Sequence, residues 1–130
     1  MAKTTKDDTA VPETKAPAAP RLRPVQIPVQ TLSGVLEPQW QEAVNAEHWF
    51  YNQGQNVTWL CVDNGSDAAV TLTFIEHHPD FNPVPVEVRA QTVAHVGPLA
   101  ARDYNDILNR VTFALSSAEG VRLAVERLGI

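Results

Sequence analysis

Residues 57–76, VTWLCVDNGSDAAVTLTFIE, decide the fold class. On either side of DNGSD, apolar residues recur at every second position, the period of a half-buried strand and not of a helix. In the first run Val57, Trp59 and Cys61 share a face, which assigns Trp59 to the core. In the second, Val70, Leu72 and Phe74 share one face, and Thr71, Thr73 and Ile75 the other. Asn64-Gly65 is a hairpin-type turn signal, so the two strands are expected to pair, although the loop of five residues exceeds the tightest hairpins.

The same alternation continues outward. RVTFALS (110–116) presents Val111, Phe113 and Leu115 on one face, SSAEG turns the chain, and VRLAVERL (121–128) presents Val121, Leu123 and Val125, which predicts a second hairpin. VEVRA (86–90) and TVAHV (92–96) read as strand, bend, strand, ended by Gly97-Pro98. HHPDFNPVP (77–85) carries three prolines in nine residues and is expected to be a loop. Upstream, residues 39–55 mix aromatic and polar residues at no clean period and are compatible with one or two strands or a helical turn. Residues 99–109, LAARDYNDILN, suit a helical turn. Six to eight short strands separated by turn signals imply an all-β fold, an antiparallel β-sandwich or jelly roll.

At 130 residues the chain is expected to hold one core, in a body spanning 36–130. Six of its ten prolines lie between Pro12 and Pro38, so the proline excess is local to the N-terminus. The opening segment, MAKTTKDDTAVPETKAPAAPRLRPVQIPVQ, begins polar and then spaces prolines so that neither a helix nor a central strand can form. Residues 1–35 therefore read as an extended, proline-rich N-terminal arm. Thirty extended residues reach on the order of 90 to 100 Å, against a radius of gyration near ~13 Å for a 100-residue body. Within VQIPVQ (25–30), Val25, Ile27 and Val29 share a face. That pattern reads as an edge strand or a docking strip; with Arg21 and Arg23 before them and Leu32 beyond, they are the expected partner-binding residues of the arm, because an ordered arm needs contacts outside itself.

Charge divides along the chain. Residues 1–30 hold five Lys or Arg against three Asp or Glu, a net +2, and the remainder holds 5 against 12, a net −7; the sum is the overall −5. An acidic body without a clustered basic face argues against nucleic-acid binding. Cys61 is the single cysteine, which excludes an intrachain disulfide and any paired-cysteine zinc motif. The N-terminus lacks an apolar signal region, and no stretch approaches the ~20 apolar residues that span a bilayer. A protein made in a cytoplasm and not inserted in a membrane is expected.

Chemistry-bearing patterns are few. His77 and His78 are adjacent on an extended chain and point to opposite faces, which suits a solvated loop better than a shared metal ion. His48 and His95 are isolated, each expected to be satisfied by the backbone or exposed at an edge. Asp103 and Asp106 bracket a turn and are expected to bond their own backbone. No serine sits in a nucleophile elbow and no glycine-rich phosphate loop occurs. No enzyme activity, metal or cofactor is expected. Trp40, Trp49 and Tyr51 are candidate surface aromatics, and a sugar-stacking platform built from them is the alternative function.

The ordered set Asn52 and Gly54, then Val62, Asn64 and Gly65, then Ala69, Val70, Thr71 and Thr73 resembles a group of small bacteriophage head proteins. Gly97 and Pro98 followed by Tyr104 and Asn105 are similar to their Gly-Pro-Phe and Tyr-Asn elements, with Leu99 where an aromatic is usual. RVTFALSSAEGVRLAVERL is similar to their closing hairpin, so the resemblance spans roughly residues 43–128. It implies a capsid decoration, or cement, protein on the exterior of a virion. Its partners would be the major capsid protein and neighbouring copies of itself, with a homotrimer as the expected assembly. The alternative becomes a receptor- or glycan-binding module of a phage fibre or of another head or neck component.

Overall fold

The computed structural model describes residues 23–32, 37–53 and 57–128. Arg21, Gly54 and the expected boundary at residue 35 lie outside the described residues. The strands are β1 (Val25–Gln26), β2 (Val29–Leu32), β3 (Gln41–Glu42), β4 (His48–Tyr51), β5 (Thr58–Asn64), β6 (Val70–Phe74), β7 (Val86–Val88), β8 (Thr92–Val96), β9 (Arg110–Leu115) and β10 (Val121–Leu128). A single helical turn, α1 (Ala101–Tyr104), separates β8 from β9, where the sequence suits one.

The chain is an all-β sandwich. One sheet has the order β1-β4-β9-β6-β7, and the other β2-β10-β5-β8, with β3 also paired to β10. The alternation seen in the sequence sets the core. Val70, Leu72 and Phe74 of β6, Val111 and Phe113 of β9, and Val121, Leu123 and Val125 of β10 all bury their side chains between the sheets. Phe50 of β4 and Phe113 are fully enclosed, with ring centroids 6.3 Å apart.

On β5 the faces are the reverse of those expected. Thr58, Leu60, Val62 and Asn64 point into the core, while Trp59 and Cys61 lie on the outer face of their sheet. The register explains it: Leu60 stands opposite Val125 and Val62 opposite Leu123, whereas Trp59 stands opposite Glu126. Two apolar faces on one strand leave the alternation undecided, and the neighbours choose.

Neither expected hairpin forms. β5 and β6 belong to different sheets, as do β9 and β10, so DNGSD and SSAEG carry the chain from one sheet to the other. The turn at Ala90–Gln91 does the same between β7 and β8. These three arches stack at one end of the sandwich. The Gly65 amide donates to the Gly120 carbonyl at 2.9 Å, and the Gln91 side-chain amide donates to the carbonyls of Gly65 and Ser66 at 2.9 and 3.0 Å. Gly120 has φ +73°, and a Cβ there would come within 3.2 Å of the Ser66 Cβ, so the close stacking requires glycine.

The VQIPVQ strip is the edge strand its alternation allows, but the edges belong to this chain's own sheets and not to a partner: Val25, Ile27 and Val29 pack in its own body. β1 pairs in parallel with β4 and β2 in parallel with β10, while Ile27 between them is 1% exposed. Leu32 pairs opposite Leu128, and Arg23 is exposed at the point where the described chain enters the first sheet. A segment with apolar residues at every second position meets two sheets that each have an open edge. Eight residues thus clasp both layers, and the proline at 28 falls between the strands, where no ladder bond is lost. The body therefore includes residues 25–32. The remaining strand pairs are antiparallel.

Candidate functional site

Sheet register brings together three side chains that the sequence holds far apart. Cys61 of β5 stands directly opposite His95 of β8, and Glu126 of β10 is the diagonal neighbour of Cys61, one step beyond its partner Ala124. All three lie on the outer face of the β2-β10-β5-β8 sheet. One ligand-type atom from each falls within 4.8 Å of the others. Cys61 and Glu126 are buried and His95 is exposed, so the cluster opens to solvent on the His95 side.

Two donors converge on one oxygen of the Glu126 carboxylate. The Trp59 indole Nε1–H reaches Oε1 at 3.1 Å and the Cys61 Sγ–H at 3.3 Å. Burial and the neighbouring carboxylate push the Cys61 thiol up to about 12. The free protein therefore holds a neutral thiol at physiological pH, unsuited to nucleophilic attack. Glu126 is 6% exposed and has no cationic partner among the described residues. Beside the cluster a groove of about 360 Å³ is lined by Trp59, His95, Gly97, Pro98 and Glu126.

The three candidate aromatics do not form one platform. Trp49 and Tyr51 project from the outer face of the first sheet, ring centroids 5.1 Å apart and edge to face, with the Arg110 guanidinium 5.3 Å from the Trp49 ring. Tyr51 is 43% exposed. Trp40 precedes β3 on the other sheet, where Arg122, itself paired to Asp63, lies 5.1 Å from its ring.

The histidines divide. His48 is buried and stacked on Phe113 at 5.6 Å, its Nε2 accepting from the Val44 amide at 3.3 Å. Burial lowers its pKa, and the Ala46 carbonyl acts in the opposite direction. His78 meets the Asn105 carbonyl at 3.2 Å, tying the loop at 77–85 to the segment after α1. Asp106 behaves as expected of a turn residue. Burial pushes its carboxyl up, but the Arg110 and Leu108 amides and the Arg110 guanidinium together hold it below the usual carboxylate range.

No protein-family model, curated protein or solved structure matches the chain. Among the described residues no helix is long and apolar enough to cross a membrane. Asn52, Asn105 and Leu99 hold one end of the sandwich together: Asn52 Nδ2–H donates to Asn105 Oδ1 at 2.9 Å, Asn105 Nδ2–H returns to the Asn52 carbonyl at 2.6 Å, and Leu99 is fully buried. Nothing in the sequence marked Cys61, His95 and Glu126 as a group, since 34 positions separate the first two and 31 the last two; only a correct strand register could have found them.

Proposed function

We propose that the chain is a non-enzymatic capsid decoration protein: the sandwich seats on the outer surface of a phage head, and the residues ahead of Arg23 reach across neighbouring subunits. The observation that carries this is a set of bare aliphatic side chains at one end of the sandwich. Opposite the arches, the loop at 75–85 and the segment after α1 expose Ile107 (97%), Val84 (78%) and Leu108 (56%). Aliphatic side chains this bare at one end of the fold suit a surface covered on assembly. The arch end is instead closed by the chain's own hydrogen bonds.

The N-terminal segment supports the same reading. Clasping of residues 25–32 fixes the point from which 22 further residues depart, and these carry Lys3, Lys6, Lys15 and Arg21 among three prolines. At ~3.3 Å per residue such a segment spans on the order of 70 Å, enough to cross a neighbouring subunit. An extended segment laid along a neighbour lets few residues cover a large area. A trimer about a threefold position is the proposed arrangement.

The test is co-sedimentation of purified chain with undecorated phage heads. Wild-type chain is expected in the pellet. Ile107→Asp with Leu108→Asp, and a chain lacking residues 1–22, are each expected to bind at least about tenfold more weakly. Wild-type chain left in the supernatant, or full binding by both variants, overturns the proposal.

A further inference from the structure

We propose that Cys61, His95 and Glu126 form a binding site for one zinc-class divalent cation on the outer face of the β2-β10-β5-β8 sheet. Three observations carry it. The donors are a thiol sulfur, an imidazole nitrogen and a carboxylate oxygen, the combination that borderline-soft Zn²⁺ favours over the all-oxygen sets of Mg²⁺ and Ca²⁺. They converge within 4.8 Å, with Cys61 Sγ and Glu126 Oε1 already 3.3 Å apart. Donors on a tetrahedral zinc ion are separated by roughly 3.5 Å, so a small rotation of the exposed His95 closes the set.

The third observation is electrostatic. Glu126 is a buried carboxylate whose contacts are two neutral donors, and a buried charge is costly without a countercharge. A cation supplies one. Binding then replaces the Cys61 S–H with a sulfur–metal bond and releases that proton to solvent, so affinity rises with pH. The Trp59 indole stays as the group that orients Glu126 from behind. Three protein ligands leave a fourth position, which faces the groove at Gly97 and Pro98 and is open to water or to a donor from a partner. Since the ligands come from β8, β5 and β10, the ion would tie the edge strand β8 to the middle of its sheet.

The test uses full-length, tag-free chain dialysed against Zn²⁺ and, separately, titrated with Co²⁺. One equivalent of zinc is expected to remain bound. Cobalt is expected to give a thiolate-to-metal charge-transfer band together with the visible absorption of a tetrahedral site. Cys61→Ala should abolish the charge-transfer band. His95→Ala replaces an exposed residue, keeps the fold and should weaken zinc binding at least about tenfold. The control His77→Ala with His78→Ala should bind as wild type. Failure to retain zinc, cobalt spectra without the thiolate band, or zinc binding lost in the His77/His78 control but intact in His95→Ala would each overturn the proposal.

Discussion

The Asn64 side chain, at the end of β5 in one sheet, donates to the Val88 carbonyl at the end of β7 in the other, 3.0 Å away. The same amide reaches the carbonyls of Ala68 at 2.9 Å and Arg89 at 3.1 Å, while Oδ1 accepts from the Ser66 amide and hydroxyl. One side chain therefore fixes two of the three arches.

Asn64→Ala is expected to lower stability by about 2 to 3 kcal/mol, because it strands buried carbonyls as well as removing bonds. Asn64→Asp should cost at least as much, since a carboxylate would then face the same carbonyls. The measurement is the urea midpoint with the slope unchanged; a midpoint equal to wild type would show that the arches close without this residue.

Truncation separates arm from body at a sharper point than proline content suggests. Removing residues 1–22 should leave the melting temperature unchanged, since β1 is the first strand among the described residues. Removing residues 1–32 deletes both parallel edge strands and Ile27, whose burial alone is worth about 1.5 to 3 kcal/mol. That chain should unfold at lower temperature or fail to fold. Equal melting of the two truncations would return residues 25–32 to the arm.

The strands were legible in the sequence, and the sheets were not. Alternation located β5, β6, β9 and β10 because each sends one face between the sheets, and period two follows directly from that. It carries no information on which sheet a strand joins. A five-residue loop such as DNGSD serves a hairpin or an arch equally, and the choice rests on bonds from Asn64 and Gln91 to residues some 25 positions away. Likewise the VQIPVQ pattern showed an edge-seeking strip, but whether the edge belongs to a partner or to the chain itself depends on edges the sequence does not display. The Cys61 cluster was hidden for a compound reason: Trp59 and Cys61 had to be on the outer face for it to exist, and the apolar face they share with Val57 argued for the inner one.

His48 gives stability a pH dependence of known sign. Its folded pKa lies below the ordinary 6.5 because burial disfavours the imidazolium. Between those two values the unfolded chain binds a proton that the folded chain refuses, so its contribution is complete above 6.5 and is lost as pH falls towards the folded pKa. Urea midpoints should therefore drop as pH falls below about 6.5. His48→Phe keeps the stacking on Phe113 and leaves the Val44 amide without its acceptor, at a cost of about 1 to 3 kcal/mol. Its midpoint should be lower at neutral pH but flatter across the same interval; a slope as steep as wild type would assign the dependence to another group.

Gly97 couples the fold to the proposed metal site. Its φ is +142°, and a Cβ would stand 2.8 Å from the Trp59 Cβ, 3.0 Å from the Trp59 Cα and 3.1 Å from the Thr58 carbonyl. Two of those three contacts are with backbone, which cannot swing aside, and the dihedral itself disfavours a side chain. Gly97→Ala should therefore cost about 2 to 3 kcal/mol, and the structure should yield by displacing Trp59 outward. That movement would withdraw the indole from Glu126 Oε1 and turn the carboxylate away from Cys61 and His95. Zinc affinity is then expected to fall together with stability, and the Trp59→Phe variant, which loses the indole donor without the backbone clash, should lower affinity while costing about 1 to 3 kcal/mol of stability for the lost bond to the buried carboxylate. If Trp59→Phe binds zinc as wild type, the indole does not orient Glu126, and any loss in Gly97→Ala reflects distortion of β5 itself.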